Sequence, residues 1–197
     1  KIVNKEFDDF SVFWNDVHDA TADIFLSIPA MFGSKGHLKE LDKLDSSKQA
    51  FETALTYKQA KDLGKMWTYT NRTIATQLPN VTLTIGGAYL GAPLPAIAFG
   101  LYGTQAGGRK RHELYTLSEQ SKKADLDLAN LEKYKNQISS DTYRYHKIDL
   151  EKKKAMGNIS RWQMESAVFL SFGIEGTIAS AFGTIPNAEN LIKGFKP

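Results

Sequence analysis

The 197 residues are 42% hydrophobic and 24% charged with a net charge of +3, enough material for one domain with a core of its own. That balance excludes a disordered chain, and the absence of cysteine excludes disulfides, thiol catalysis and cysteine-based zinc sites. Charge is uneven: residues 1–34 hold two lysines against six acids, and 109–161 hold thirteen bases against eight acids. An acidic head and a basic middle suit head-to-tail contacts or an anionic surface better than sequence-specific reading of nucleic acid.

Taken in order, residues 6–32 predict an amphipathic helix. Phe7, Phe10, Phe13, Trp14, Val17, Ile24, Phe25 and Ile28 follow helical three–four spacing, and Asp9, Asp16, Asp19 and Asp23 are expected to line the other side. Two roles stay open for its aromatic face: packing on the protein's own core, or an interface with a partner or membrane. Gly33-Ser34-Lys35-Gly36 is expected to end the helix. A second helix is expected over 37–70 from Leu38, Leu41, Leu44, Phe51, Leu55 and Leu63. Trp67 and Tyr69 follow it, as aromatics suited to an apolar–aqueous boundary.

The segment that sets the character of the chain is 73–108, 36 residues without Asp, Glu, Lys or Arg. Ala88, Ala92, Ala96, Gly100, Thr104 and Gly108 recur every four positions. Gly87, Gly91, Pro95, Phe99, Gly103 and Gly107 form a second file beside them. Files of small residues let helix backbones approach closely. Pro79-Asn80 is expected to make an entry turn, and Pro93-Leu94-Pro95 to break the helix into legs near 81–92 and 96–107. Each leg is roughly 18 Å long, short of a ~30 Å hydrocarbon layer, so the stretch is a kinked span or a hairpin.

Arg109, Lys110 and Arg111 close the stretch, as a membrane-facing basic flank or as a solvated loop. From 109 to 164 a loose heptad predicts a long polar helix or helix pair, with Ser139-Ser140-Asp141 as a break and cap. Trp162 then introduces a second apolar run, Ser166 to Ile185. Gly173, Gly176 and Ser180 repeat the small-residue spacing there, and Glu175 is expected to be a buried ionisable group. Pro186 is expected to stop that helix.

Few residues spell out chemistry. Gly103 to Lys110 approaches a phosphate-cradling GxxxxGK[ST] loop, but Arg109 stands at the lysine position and Lys110 at the hydroxyl position. His18, His37, His112 and His146 lack metal-ligand spacing, and no GxSxG elbow occurs. No enzyme activity, cofactor or metal is expected.

The chain therefore reads as all-α: an elongated helical bundle in four regions, 1–72, 73–108, 109–164 and 165–197. Its packing residues are expected to be Gly87, Ala88, Gly91, Ala92, Ala96, Gly100, Gly103, Gly107, Gly173, Gly176 and Ser180. Its membrane-interface residues are expected to be Trp67, Tyr69, Arg109, Lys110, Arg111 and Trp162. The order of apolar run, polar helix and apolar run over 73–185 resembles α-helical pore-forming toxins, and also internal proteins that tailed phages eject into the host envelope. That likeness is one of layout, with no site residues to carry over. It implies self-assembly into a pore or conduit in a lipid membrane. The alternative is a structural subunit of a virion, filament or secretion apparatus, with the apolar segments buried between protomers. A secreted, envelope or virion location follows from either reading.

Overall fold

The computed structural model describes the backbone of residues 9–59 and 65–182, and the side chains of most of these. Among them there are six α-helices and no strand: α1 Asp9–Met31, α2 Lys35–Gln59, α3 Lys65–Tyr89, α4 Leu94–Lys133, α5 Ser140–Gly157 and α6 Arg161–Phe182. The all-α bundle read from the periodicity is the observed fold.

The helix ends follow local chemistry. After α1, Gly33 takes φ +85°, its N–H donates to the Ala30 carbonyl, and the Ser34 N–H reaches back to Pro29. These two bonds satisfy carbonyls that the helix end would otherwise orphan. The same device recurs after α3. Gly91 sits at φ +91°, with its N–H on Ala88 and the Ala92 N–H on Gly87. The break in the uncharged stretch is thus made by Gly91. Pro93-Leu94-Pro95, expected to interrupt a helix, instead starts one: Pro93 caps α4 and Pro95 lies in its first turn. A proline ring costs nothing there, because those N–H groups have no intrahelical acceptor. Pro79 is also not an entry turn; it lies buried inside α3. Of the two geometries left open for 73–108, the hairpin is the one formed. Pro186 lies outside the described residues.

At 40 residues α4 is the spine, about 60 Å long. The charge boundary at Arg109 falls inside it rather than between helices. It runs antiparallel to α5 and α6 in turn, which a short loop links end to end. Ser121 Oγ donates to the Lys154 carbonyl at 2.9 Å, Lys154 Nζ pairs with Asp125 at 2.5 Å, and Glu132 receives the Tyr143 hydroxyl. The predicted cap of α5 is present: Ser139 Oγ accepts from the Thr142 N–H at 3.2 Å. Ser139→Ala should cost about 1 kcal/mol in urea unfolding, with loss of helix confined to the start of α5.

The hydrophobic core is small. Ala30, Leu38 and Leu41 are fully or nearly fully buried where α1 turns into α2, with Leu26, Leu44 and Tyr115 against them. Ile24 and Val168 are buried farther along. The largest departure from the sequence reading is the rotation of α1. Its acids were expected on the solvent side, yet Asp16 and Asp19 are only 5% and 9% exposed, while Phe25 and Phe32 are 59% and 76% exposed. The charged face points inward because α3 and α4 present arginines to it.

Candidate functional site

The antiparallel α4–α6 seam is built from one motif used twice. Phe99 and Gly103 lie four apart on α4, and Phe172 and Gly176 lie four apart on α6. The rings of Phe99 and Phe172 meet edge to face at 5.1 Å. A Cβ on Gly103 would stand 2.8 Å from the Phe172 carbonyl oxygen, and one on Gly176 2.8 Å from that of Phe99. Each glycine admits the backbone opposite. Farther down α4, a Cβ on Gly107 would meet the Met31 side chain at 3.1 Å, and one on Gly108 the Ser27 carbonyl oxygen at 2.2 Å. Gly157, at the end of α5, lies equally close to Leu117 of α4.

The predicted packing residues therefore divide. Gly103, Gly107 and Gly176 lie in seams within the chain, and Gly87 faces Ile97 across the α3–α4 hairpin. Gly91 forms the turn. Ala88 and Ser180 are half-buried, and Ala92 and Ala96 are exposed. Gly100 and Gly173 have open space where a Cβ would stand. Gly108 and Gly157 make the closest approaches. Gly108 was legible as the end of a four-residue file, whereas Gly157, in a polar stretch, carried no comparable signal.

The basic cluster that closes the uncharged stretch is committed to carboxylates. Arg109 donates to Asp23 at 2.7 Å and Asp45 at 2.6 Å, Lys110 to Glu113 at 2.8 Å, and Arg111 to Glu165 of α6 at 3.0 Å. Successive residues on a helix point about 100° apart, so the triplet serves three directions rather than forming one flank. Trp162 is exposed, and Trp67 and Tyr69 lie on α3 with side chains outside the described residues. Glu175, expected to be buried, is exposed in the single chain. The stretch Gly103 to Lys110 is helical throughout, so it forms no phosphate loop.

Two arginine clips hold the first four helices together. Arg72 of α3 donates to Asp16 of α1 at 2.7 Å and to Glu52 of α2 at 3.0 Å. Arg109 of α4 makes the matching link between Asp23 of α1 and Asp45 of α2. Asp16 and Asp23 are one heptad apart, as are Asp45 and Glu52, so the antiparallel α1–α2 pair presents two acid pairs in register. Burial pushes the Asp23 carboxyl up, but the hydrogen bond and charge of Arg109, with Lys48 and Ser27, bring it below the usual carboxylate range. The Arg72 hydrogen bond likewise lowers Glu52, and Arg111 lowers Glu165. Sequence reasoning missed these residues; the matched heptad spacing of the acids was the available signal.

Between the clips lies a cavity of about 620 Å³ lined by α1, α2, α3, α4 and α6. Among the described residues no three His, Asp or Glu side chains converge as metal ligands would, and no helix is long and apolar enough to cross a membrane. No family model matches the chain, and comparison with curated proteins and with solved structures finds no significant similarity.

Proposed function

We propose that this chain is a non-enzymatic helical subunit that assembles with copies of itself through outward apolar helix faces. One observation carries the reading. The side of α6 turned away from α4 has no charge along its length: Trp162, Phe169, Leu170, Ile174 and Ile178 are all exposed, beside the open position at Gly173. An uncharged face of that length, apolar except for Gln163 and Thr177, on a single chain marks a surface covered in the working state. Virion, filament or secretion-apparatus assemblies are the contexts in which such a subunit serves.

The test is sedimentation velocity over a range of concentrations. Wild type should form a defined oligomer. Leu170→Glu combined with Ile174→Glu should be monomeric with an unchanged circular dichroism melt, because both side chains are exposed in the single chain. Gly100→Leu, which has room within the chain, should keep monomer helicity and impair assembly. A wild-type protein that stays monomeric at millimolar concentration would sink the proposal.

The rotation of α1 favours a second reading, a membrane-active form that builds a pore or conduit. Phe25 and Phe32 turned outward while Asp16 and Asp19 join Val12 and Ile24 inside is a distribution compatible with apolar surroundings. Liposome flotation with dye release separates the two. Assembly without lipid binding at neutral and acidic pH supports the subunit, and lipid binding with leakage supports the conduit.

A further inference from the structure

We propose that the cavity between the two arginine clips binds a small organic cation bearing ammonium groups, of the alkyl diamine or polyamine class. Its volume of about 620 Å³ is in the range of small-molecule sites. The charge of its lining is not balanced. Asp16, Asp19, Asp23, Glu52 and Glu175 face three bases, Lys48, Arg72 and Arg109.

Those bases are already engaged. Arg72 is held by Asp16 and Glu52, Arg109 by Asp23 and Asp45, and Lys48 lies 3.6 Å from Asp23. Two carboxylates are left over. The Asp19 side chain is 13% exposed, and its contacts are the Asn15 amide at 3.3 Å and the exposed His18 ring at 3.4 Å. Glu175 comes from α6 and makes no ion pair among the described residues. Asp19, withdrawn from water without a full positive partner, carries a cost that an ammonium group relieves. The exposed Glu175 offers a second negative charge to the same ligand.

The neutral groups of the wall narrow the ligand further. Asn80 is 7% exposed and accepts from Gln105 Nε2 at 3.2 Å. Its own Nδ2 has no acceptor, and the Gln105 carbonyl oxygen no donor, among the described residues. A free amide oxygen is a second acceptor for an ammonium N–H. Phe51 and Tyr102 add aromatic surface, which attracts cations at the ring face and covers methylene chains. An anion would meet the excess of carboxylates. A bare divalent ion would find no set of three converging ligands among the described residues and would leave most of the volume unfilled. A flexible chain of methylenes with ammonium groups matches both the charge and the aromatic wall.

The experiment is isothermal titration of the full chain with spermidine, putrescine and Mg²⁺ at near-physiological salt. Spermidine should bind saturably with one site per chain and raise the melting temperature, and Mg²⁺ should do neither. Asp19→Asn should weaken spermidine at least tenfold. Glu175→Gln should weaken it severalfold, and because Glu175 is exposed that variant is expected to fold. The assembly-deficient Leu170→Glu variant should bind spermidine as wild type does. The proposal is overturned if spermidine does not saturate, if Glu175→Gln and Asp19→Asn both bind like wild type, or if Mg²⁺ displaces spermidine as a surface counterion would. Loss of binding in Leu170→Glu would overturn the placement of the site within one chain.

Discussion

Replacing Gly108 or Gly157 with alanine should destabilise the protein by about 3 kcal/mol or more, whereas the same change at Gly100 or Gly173 should stabilise the single chain by up to about 1 kcal/mol. The four glycines are all helical, so propensity alone predicts the same small gain at each. Packing separates them. A Cβ at Gly108 would stand 2.2 Å from the Ser27 carbonyl oxygen, and one at Gly157 would stand 2.1 Å from that of Leu117. Both obstacles are backbone, so no rotamer change relieves them and the helices themselves must part. At Gly157 the Ser121 Cβ also lies 2.4 Å from the added atom. Separating α4 from α5 there would disturb the Ser121 bond to the Lys154 carbonyl, which crosses at the same level. Urea midpoints with unchanged slopes give the comparison directly. A neutral Gly108→Ala would mean that α1 and α4 do not cross at that contact. Strong destabilisation by Gly100→Ala would mean that the open side of α4 is occupied within the chain.

This contrast also shows what the sequence could and could not convey. A glycine file at four-residue spacing announces close packing, and close packing is found at Gly103, Gly107 and Gly108, in the first half of α4. It does not say where the file stops being internal. Ala92, Ala96 and Gly100 continue the same spacing as Gly108, yet they lie beyond the reach of α1. Which members meet a neighbouring helix depends on the tertiary packing, which the file itself does not encode. The rotation of α1 was hidden for a related reason. Periodicity, read over 6–32, located the helix whose described part is Asp9–Met31, but which face turns inward depends on Arg72 and Arg109, distant in sequence and outside any local window. Hydrophobicity alone would bury Phe25 and expose Asp16; two guanidinium groups reverse the choice. Local signals with a local cause were read correctly. The Ser139 cap and the glycine-containing end of α1 both depend on a few adjacent residues. Pro93 was misread because a proline's effect depends on whether it precedes or follows the true helix start, and that start was fixed by Gly91.

The reversal of α1 makes the clips the second site of large effect. Arg109→Met should cost about 2–4 kcal/mol, because it leaves Asp23 and Asp45 facing one another with, among the described residues, only the longer Lys48 contact and Ser27 on Asp23 and His112 beside Asp45. Arg72→Met should cost at least as much, because it strands Asp16, whose side chain is only 6% exposed and has no other ion pair among the described residues. In each clip the α2 carboxylate, Glu52 or Asp45, is partly exposed and screened by water, so the α1 acid carries most of the cost. The pH dependence follows from the sign of the shifts. Asp23, Glu52 and Glu165 have folded pKa values below their ordinary ones, so the folded state holds its protons less tightly than the unfolded chain does. Their contribution is full above the unfolded carboxylate pKa of about 4, and it disappears as pH falls through the lower folded values. Wild type should therefore lose stability steeply in acid, with no comparable loss between neutral pH and about pH 5. Arg109→Met removes the chief cause of the Asp23 shift, so its stability curve should start lower and fall less. Adding Asp23→Asn to Arg109→Met should recover part of the loss, since one of the two facing carboxylates is then neutral while the shape of the seam is kept. A double-mutant cycle from urea midpoints at neutral pH and near pH 3 measures the coupling. If it is strong at neutral pH and fades in acid, α1 is held inward by the clip; if the two changes are additive at both pH values, packing at Ser27 and Gly108 turns the helix.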